Sequence, residues 1–269
     1  MADPLDAKHA RLVARLHGLG SVVVAFSGGA DSALLAHVAS TTLSPALAPA
    51  VTAVSPSLAP EELADCAALA SEWGLSWRTV ETDEVHDAAY AANDSTRCAH
   101  CKSSLMDALD GLVPGATIVL GVNVDDLGDH RPGQDVAAGR GAVFPLVDSG
   151  LTKAEVRELS RRLGLRTWDK PAGACLASRI PYGTPVTVGR LRAVADAEAA
   201  LHALGFAALR VRHYGDTARL EVPLEDLAAV LAQREAVVAA VHAGGYRYVT
   251  LDLEGLRSGN LNQSLGAVR

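Results

Sequence analysis

No apolar run in this sequence approaches the ~20 residues that a membrane-spanning helix needs. Residues 1–20 carry acids and lack an apolar signal core, so export is not expected. Cysteine is scarce: four in 269 residues do not make a disulfide scaffold. A basic excess is missing too. Lys and Arg number 24 against 31 Asp and Glu, a net charge of −7, which disfavours a broad nucleic-acid surface. There is no internal repeat and no low-complexity tract. What the chain does have is hydrophobic residues, 49% of the total with 20% charged, which excludes disorder and provides for a packed core. The length suits one large domain or two modest ones. The expected setting is a reducing cytoplasm, where cysteines serve as ligands, as nucleophiles or in the core.

The first half alternates strand and helix. Residues 22–26 (VVVAF) form a short β-branched run of the kind buried in a parallel sheet, and 50–54, 77–80 and 117–121 read as further strands. Helices are predicted over 32–40, from Pro60 to Trp73, and from Thr152 to Gly164, the last opened by capping-box spacing of Thr152 and Glu155. This alternation predicts an α/β fold with a parallel, doubly wound sheet. After Pro171 a Pro/Gly-rich segment leads to a helix at 188–204, strands at 209–214 and 218–222, a helical stretch at 224–242 and a strand at 246–251. That order predicts a smaller α+β domain, with the chain divided into 1–170 and 171–269.

The most specific motif is Ser27-Gly28-Gly29-Ala30-Asp31-Ser32, set between a strand and a helix. Two glycines allow close approach of a ligand, and the helix N-terminus offers N–H groups to a pyrophosphate. Ser27 and Ser32 add hydroxyls, and Asp31 suits Mg²⁺. The Walker lysine and the GxGxxG fingerprint are both absent. The motif resembles the SGGxDS loop of PP-loop ATP pyrophosphatases, which adenylate a substrate and release pyrophosphate.

Cys98 and Cys101 form a C-x-x-C flanked by Arg97 and Lys102, placed just before a helix predicted over 103–109. Cation and helix dipole together would favour thiolates. Cys175 lies among small residues with Arg179 nearby, whereas Cys66 falls on the apolar face of the 60–73 helix and reads as an inert core residue. The remaining three cysteines fit half a zinc site with His100 or His130, a dithiol pair, or three ligands of a [4Fe–4S] cluster; spacing leaves all three open. His9, His17 and His37 show no ligand spacing.

The thirteen residues from Gly121 to Gly133 are similar to the GxNxDDLGDxRPG block of the LarE family. Residues 168–171 (WDKP), 174–183 (ACLASRIPYG), 252–260 (DLEGLRSGN) and 53–58 (AVSPSL) also resemble that family, in its order and over nearly the whole chain. LarE enzymes are ATP-dependent sulfur transferases that make the bisthiocarboxylic precursor of the nickel-pincer cofactor of lactate racemase. One family type sacrifices the sulfur of a single cysteine at the position of Cys175. The other binds a [4Fe–4S] cluster through three cysteines, and the presence of Cys98 and Cys101 favours that type here.

The resemblance implies ATP bound by Ser27, Gly28, Gly29, Asp31, Ser32, Ser55, Gly121 and Asp126, with a pyridinium dicarboxylate mononucleotide as substrate. It places Ser178, Arg179 and Glu198 at the substrate site. Arg210 and Arg212 alternate onto one strand face, which alone reads as a solvated face; family position makes them, with Arg257, a clamp for the substrate phosphate. Asp125, Asp126 and Asp129 either cap the loop after the fourth strand or serve the nucleotide. Expected partners are other nickel-pincer biosynthesis proteins and copies of the chain itself, hexamers being among the assemblies the resemblance implies, with no nucleic acid and no membrane. A PP-loop tRNA thiolase and a non-catalytic nucleotide or metal sensor are the alternative readings.

Overall fold

The computed structural model describes residues 3–128, 132–171 and 173–257. The elements are α1 (Pro4–Leu19), β1 (Val22–Ala25), α2 (Ala30–Leu43), β2 (Ala50–Val54), α3 (Pro60–Trp73) and β3 (Trp77–Glu81). They continue with α4 (Ala88–Ala91), α5 (Arg97–Leu109), β4 (Thr117–Leu120), α6 (Pro132–Gly139), α7 (Pro145–Asp148) and α8 (Lys153–Arg162). The last elements are α9 (Val188–Ala203), β5 (Arg210–Tyr214), β6 (Thr217–Glu221), α10 (Leu227–Ala232), α11 (Arg234–Ala243) and β7 (Tyr248–Leu251). Among the described residues no helix is long and apolar enough to cross a membrane.

The chain forms two compact units. The first holds Met1–Ser55, Glu62–Glu84 and Cys98–Gly173; the second holds Pro56–Glu61, Val85–Arg97 and the residues from Ala174 onward. Two short segments inside the expected 1–170 domain therefore pack with the later residues. Their bonds explain it: buried Asn93 donates to the carbonyls of Ile180, Pro181 and Thr184, and Leu176 N–H donates to the Ser57 carbonyl. Strand and helix periodicity carries no trace of which layer such connections join.

The sheet of the first unit is parallel, in the order β3-β2-β1-β4. Val22 and Val24 face the cluster built with α1, α2 and α8, while Val23 faces the opposite cluster with Val51 and Leu109. Burial on both faces is why β1 reads as an unbroken apolar run rather than an alternating one. Helix α1 has no counterpart among the sequence expectations. Its cap was present in the sequence, for Asp3 accepts the Leu5 N–H at 2.9 Å and Pro4 starts the helix.

In the second unit β5 and β6 are antiparallel, and β7 returns parallel to β6. The helical stretch expected at 224–242 is broken at Gln233, whose φ of −101° and ψ of 18° separate α10 from α11.

Candidate functional site

The phosphate-type loop follows β1 at the carboxyl edge of the sheet. Gly28 has a φ of +69°, open to glycine at little cost, and a Cβ there would lie 2.9 Å from Cys66 Sγ. Ser32 Oγ accepts the Ser27 N–H at 3.2 Å, lies 3.1 Å from Ser27 Oγ and reaches the Gly29 carbonyl at 3.2 Å. The loop is thus folded back on the first turn of α2, whose N-terminal N–H groups lack helical acceptors. Lys170 lies behind it, held by Glu62 and Asp65 at 2.7 Å each. Burial works against that ammonium, but the two carboxylates outweigh it and its pKa rises.

Gly121, just past β4, touches the same turn. A Cβ there would come 2.6 Å from the Ser32 nitrogen, so any side chain would push β4 and α2 apart. Beyond it, Asn123 donates to Asp31 at 3.1 Å and to Asp126 at 2.9 Å. Asp31 also pairs with Lys153 at 2.5 Å, and Asp125 accepts the Lys153 N–H at 2.8 Å. Asp125 is therefore a cap for α8, whereas Asp126 holds Asn123 against Asp31. Nothing in local sequence ties Lys153 to Asp31, because they are 122 residues apart. At the neighbouring strand end, Ser55 donates to Glu84 Oε1 at 2.6 Å.

Helix α5 begins at Arg97, not near Ser103 as the sequence led us to expect, so both cysteines of the C-x-x-C lie inside the helix. Asp94 starts the turn early: its carboxylate accepts the Thr96 N–H at 2.7 Å, and its carbonyl accepts the Arg97 N–H. Three residues apart on a helix, Cys98 and Cys101 share a face. Arg97, expected as a flanking cation, is the first residue of that helix. It is buried and donates to Asn93 Oδ1 at 2.6 Å and to the Ala177 carbonyl at 2.9 Å. Burial pushes the Lys102 ammonium pKa down, and attraction to Cys101 and Cys98 offsets part of that. Cys66 is fully buried, and burial pushes its thiol pKa up, as befits a core residue.

In the second unit Cys175 is exposed and precedes the 3₁₀ turn Leu176–Arg179. Arg179 wraps that turn, donating to the Ala174 carbonyl at 2.6 Å and to Ser178 Oγ at 3.1 Å. Its other nitrogens hold Glu198 in a two-point pair of 2.9 and 3.1 Å, and Glu198 also accepts the Val211 N–H. Glu198 thereby ties the Cys175 turn to α9 and β5. Arg212 is buried; it donates to the Ser178 carbonyl and pairs with fully buried Glu221 at 2.8 Å. Half-buried Arg210 donates to the Arg257 carbonyl, and Arg257 pairs with Glu254. Burial first, then repulsion from Arg179 and Arg212, pushes the Arg210 pKa down, marking a concentration of positive charge.

No protein-family model matches the chain. An uncharacterized Synechocystis protein is 44% identical over 252 residues, 92% of this chain and 94% of its own length. An uncharacterized Methanocaldococcus jannaschii protein is 24% identical over 88% of this chain and 91% of its own length. The pyridinium-3,5-bisthiocarboxylic acid mononucleotide synthase of Lactiplantibacillus plantarum is 35% identical over 264 residues, 97% of this chain and 96% of its own length. The chain belongs to that synthase family, LarE.

For this LarE-family chain, the first unit brings together Ser27, Gly28, Gly29, Asp31, Ser32, Gly121 and Asp126, as well as Lys153 and Asn123. Ser55, at the end of the neighbouring strand, is bonded to Glu84. The second unit joins Cys175, Ser178, Arg179, Glu198 and Arg212 through hydrogen bonds, and bonds Arg210 to the Arg257 carbonyl. Cys98 and Cys101 belong to the first unit and Cys175 to the second. All four cysteines are thiols, and among the described residues no three His, Cys, Asp or Glu side chains are grouped to hold a metal ion. Asp129, His130 and residues 258–260 of the family blocks lie outside the described residues.

Proposed function

We propose that this chain inserts sulfur into pyridinium-3,5-biscarboxylic acid mononucleotide for nickel-pincer cofactor biosynthesis, activating each carboxylate with ATP. A carboxylate oxygen leaves poorly and AMP leaves far better. Attack of the substrate carboxylate on the α-phosphorus of ATP forms an acyl adenylate and expels pyrophosphate. Sulfur then attacks the acyl carbon and AMP departs, leaving a thiocarboxylate. The observation that carries this reading is a lysine-free phosphate loop in the same chain as an exposed thiol, Cys175, on a turn braced by Arg179.

In this scheme Ser27, Gly28, Gly29 and Ser32 receive the pyrophosphate at the start of α2. Asp31 holds Mg²⁺ with the phosphates, and Lys153, now on Asp31, adds positive charge beside them. Arg210, with Arg257, takes the substrate phosphate, Arg179 and Arg212 add positive charge from behind, and Ser178 and Glu198 fix the Cys175 turn.

Cys98, Cys101 and Cys175 are the thiol set for a [4Fe–4S] cluster, which would supply one open iron to carry sulfide. The fit is chemical: two thiols share a helix face one turn apart, and Cys175 is exposed. Partners in this setting are the other proteins of nickel-pincer synthesis and further copies of this chain.

Anaerobic iron–sulfur reconstitution tests the reading, followed by mass analysis of products made from the dicarboxylate mononucleotide, ATP and Mg²⁺. Iron and acid-labile sulfide should each reach about four per chain, with thiocarboxylate product, AMP and pyrophosphate. Turnover without iron, leaving dehydroalanine at Cys175, would replace the cluster by sacrifice of that cysteine. Retention of tRNA at physiological salt, with no thiocarboxylate made, would favour a thiolase.

A further inference from the structure

Thr52 lies in the middle of β2 and is only 2% exposed. A hydroxyl buried there costs stability unless it is bonded, and this one is bonded both as donor and as acceptor. It donates to the Phe26 carbonyl at 2.7 Å and accepts the indole N–H of Trp77 at 2.9 Å. Strand register explains the meeting. Trp77 is paired with Ala50, two residues before Thr52, so both side chains stand on one face of the sheet. A chain of hydrogen bonds therefore crosses from β3 through β2 to the end of β1. Cys66, whose sulfur backs Gly28, lies against the same hydroxyl.

Phe26 still follows the line of β1, with its N–H on the Val51 carbonyl at 2.8 Å, and Ser27 opens the phosphate loop. The peptide that joins them carries the Phe26 carbonyl on one side and the Ser27 N–H on the other, in one rigid plane. Thr52 takes the carbonyl. Ser32 Oγ, on the first turn of α2, takes the N–H at 3.2 Å. The two bonds fix how that plane is turned, and its turn sets the direction in which the chain leaves the sheet to begin the loop.

We propose that Thr52 is a positioning residue for a nucleoside triphosphate on this loop. Its hydroxyl fixes the Phe26–Ser27 peptide before the phosphates arrive, and Trp77 fixes the hydroxyl. Less binding energy is then lost in ordering the loop. The inference rests on the proposed use of ATP.

The test measures KM for ATP and KM for the dicarboxylate mononucleotide separately, by pyrophosphate release from the reconstituted enzyme. Thr52→Val removes the hydroxyl at nearly the same shape and should raise KM for ATP about tenfold, the effect of one hydrogen bond lost. KM for the dicarboxylate should stay near its native value. Thr52→Ser keeps the hydroxyl and should bring KM for ATP most of the way back. Trp77→Phe leaves Thr52 on the Phe26 carbonyl without its brace and should raise KM for ATP about two- to threefold. Thermal unfolding shows which variants fold, and Trp77→Phe decides if Thr52→Val does not. A native KM for ATP in Thr52→Val or Trp77→Phe, an equal rise in both KM values, or no recovery in Thr52→Ser overturns the inference and leaves ATP use standing. No pyrophosphate from ATP with the native protein overturns the ATP reading, and the inference with it.

Discussion

Gly133 makes room for the Cys98 carbonyl: a Cβ at Gly133 would come within 2.8 Å of that oxygen and 3.3 Å of Lys102 Cβ. The glycine lets α6 press on the turn of α5 that bears Cys98 and Cys101. Gly133→Ala should displace that turn, lower stability by about 1–3 kcal/mol as overpacking does, and reduce iron taken up on reconstitution. Iron per chain and a denaturant melt check this. Full iron content in the variant would show that α6 does not set the thiol positions.

Arg210 and Arg212 share a strand face but differ in what they touch. Arg212 is 2% exposed against fully buried Glu221, so Arg212→Ala should cost about 3–5 kcal/mol through a stranded buried charge. Arg210 donates to the Arg257 carbonyl, with the like charges of Arg179 and Arg212 nearby. Arg210→Ala should raise the substrate KM about tenfold or more, the worth of a lost charged contact, and leave the melting temperature nearly unchanged. Measuring both quantities on both variants separates anchor from ligand. A melting temperature that drops equally in the two would contradict this division.

Lys153 and Asp31 form the pair that sets charge beside the phosphate loop. Lys153→Met should lower kcat/KM for ATP about 10- to 100-fold, the range of a charged hydrogen bond, with a small effect on melting. Steady-state pyrophosphate release over a range of ATP and Mg²⁺ concentrations reads the change. A variant with native kinetics would mean that Lys153 serves only to fasten α8.

Two histidines, one in each unit, make stability depend on pH. Burial pushes the pKa of both His37 and His213 below the ordinary 6.5, and repulsion from Arg190 adds to the effect at His213. The unfolded chain then binds more protons than the folded one just below pH 6.5. Stability from the neutral rings is complete above that value and is lost as pH falls through the lowered folded values. Melting temperatures should drop between pH 7.5 and pH 5.5, and less in His213→Phe. A pH profile identical to the native one in that variant would remove His213 from the account.

Much of the first unit was legible because its signals are local. The strands are short β-branched runs, and the capping box at Thr152 forms as its spacing predicts, with Glu155 Oε2 accepting the Thr152 N–H at 2.9 Å. The phosphate loop could be read for the same reason, since two glycines, two serines and the helix start are contiguous. What escaped was set at a distance. Lys153 finds Asp31 across 122 residues, Glu84 finds Ser55 across 29, and neither residue lies in a recognisable pattern. The start of α5 was misplaced because Asp94, well before the cysteines, opens the turn. Alternation alone puts Arg212 on a solvated face, because it gives the face of a strand and not what covers it, and the family resemblance made it part of a phosphate clamp; in the structure its cover is Glu221 and the Ser178 carbonyl.

Cys66 fills the space that a side chain at Gly28 would need, and it is sealed from solvent. An alkylating reagent can meet this thiol only when the loop above it lifts away. In protein stripped of its other three cysteines, the rate of Cys66 modification therefore becomes a clock for breathing of the phosphate loop. Whatever settles on that loop should slow the clock.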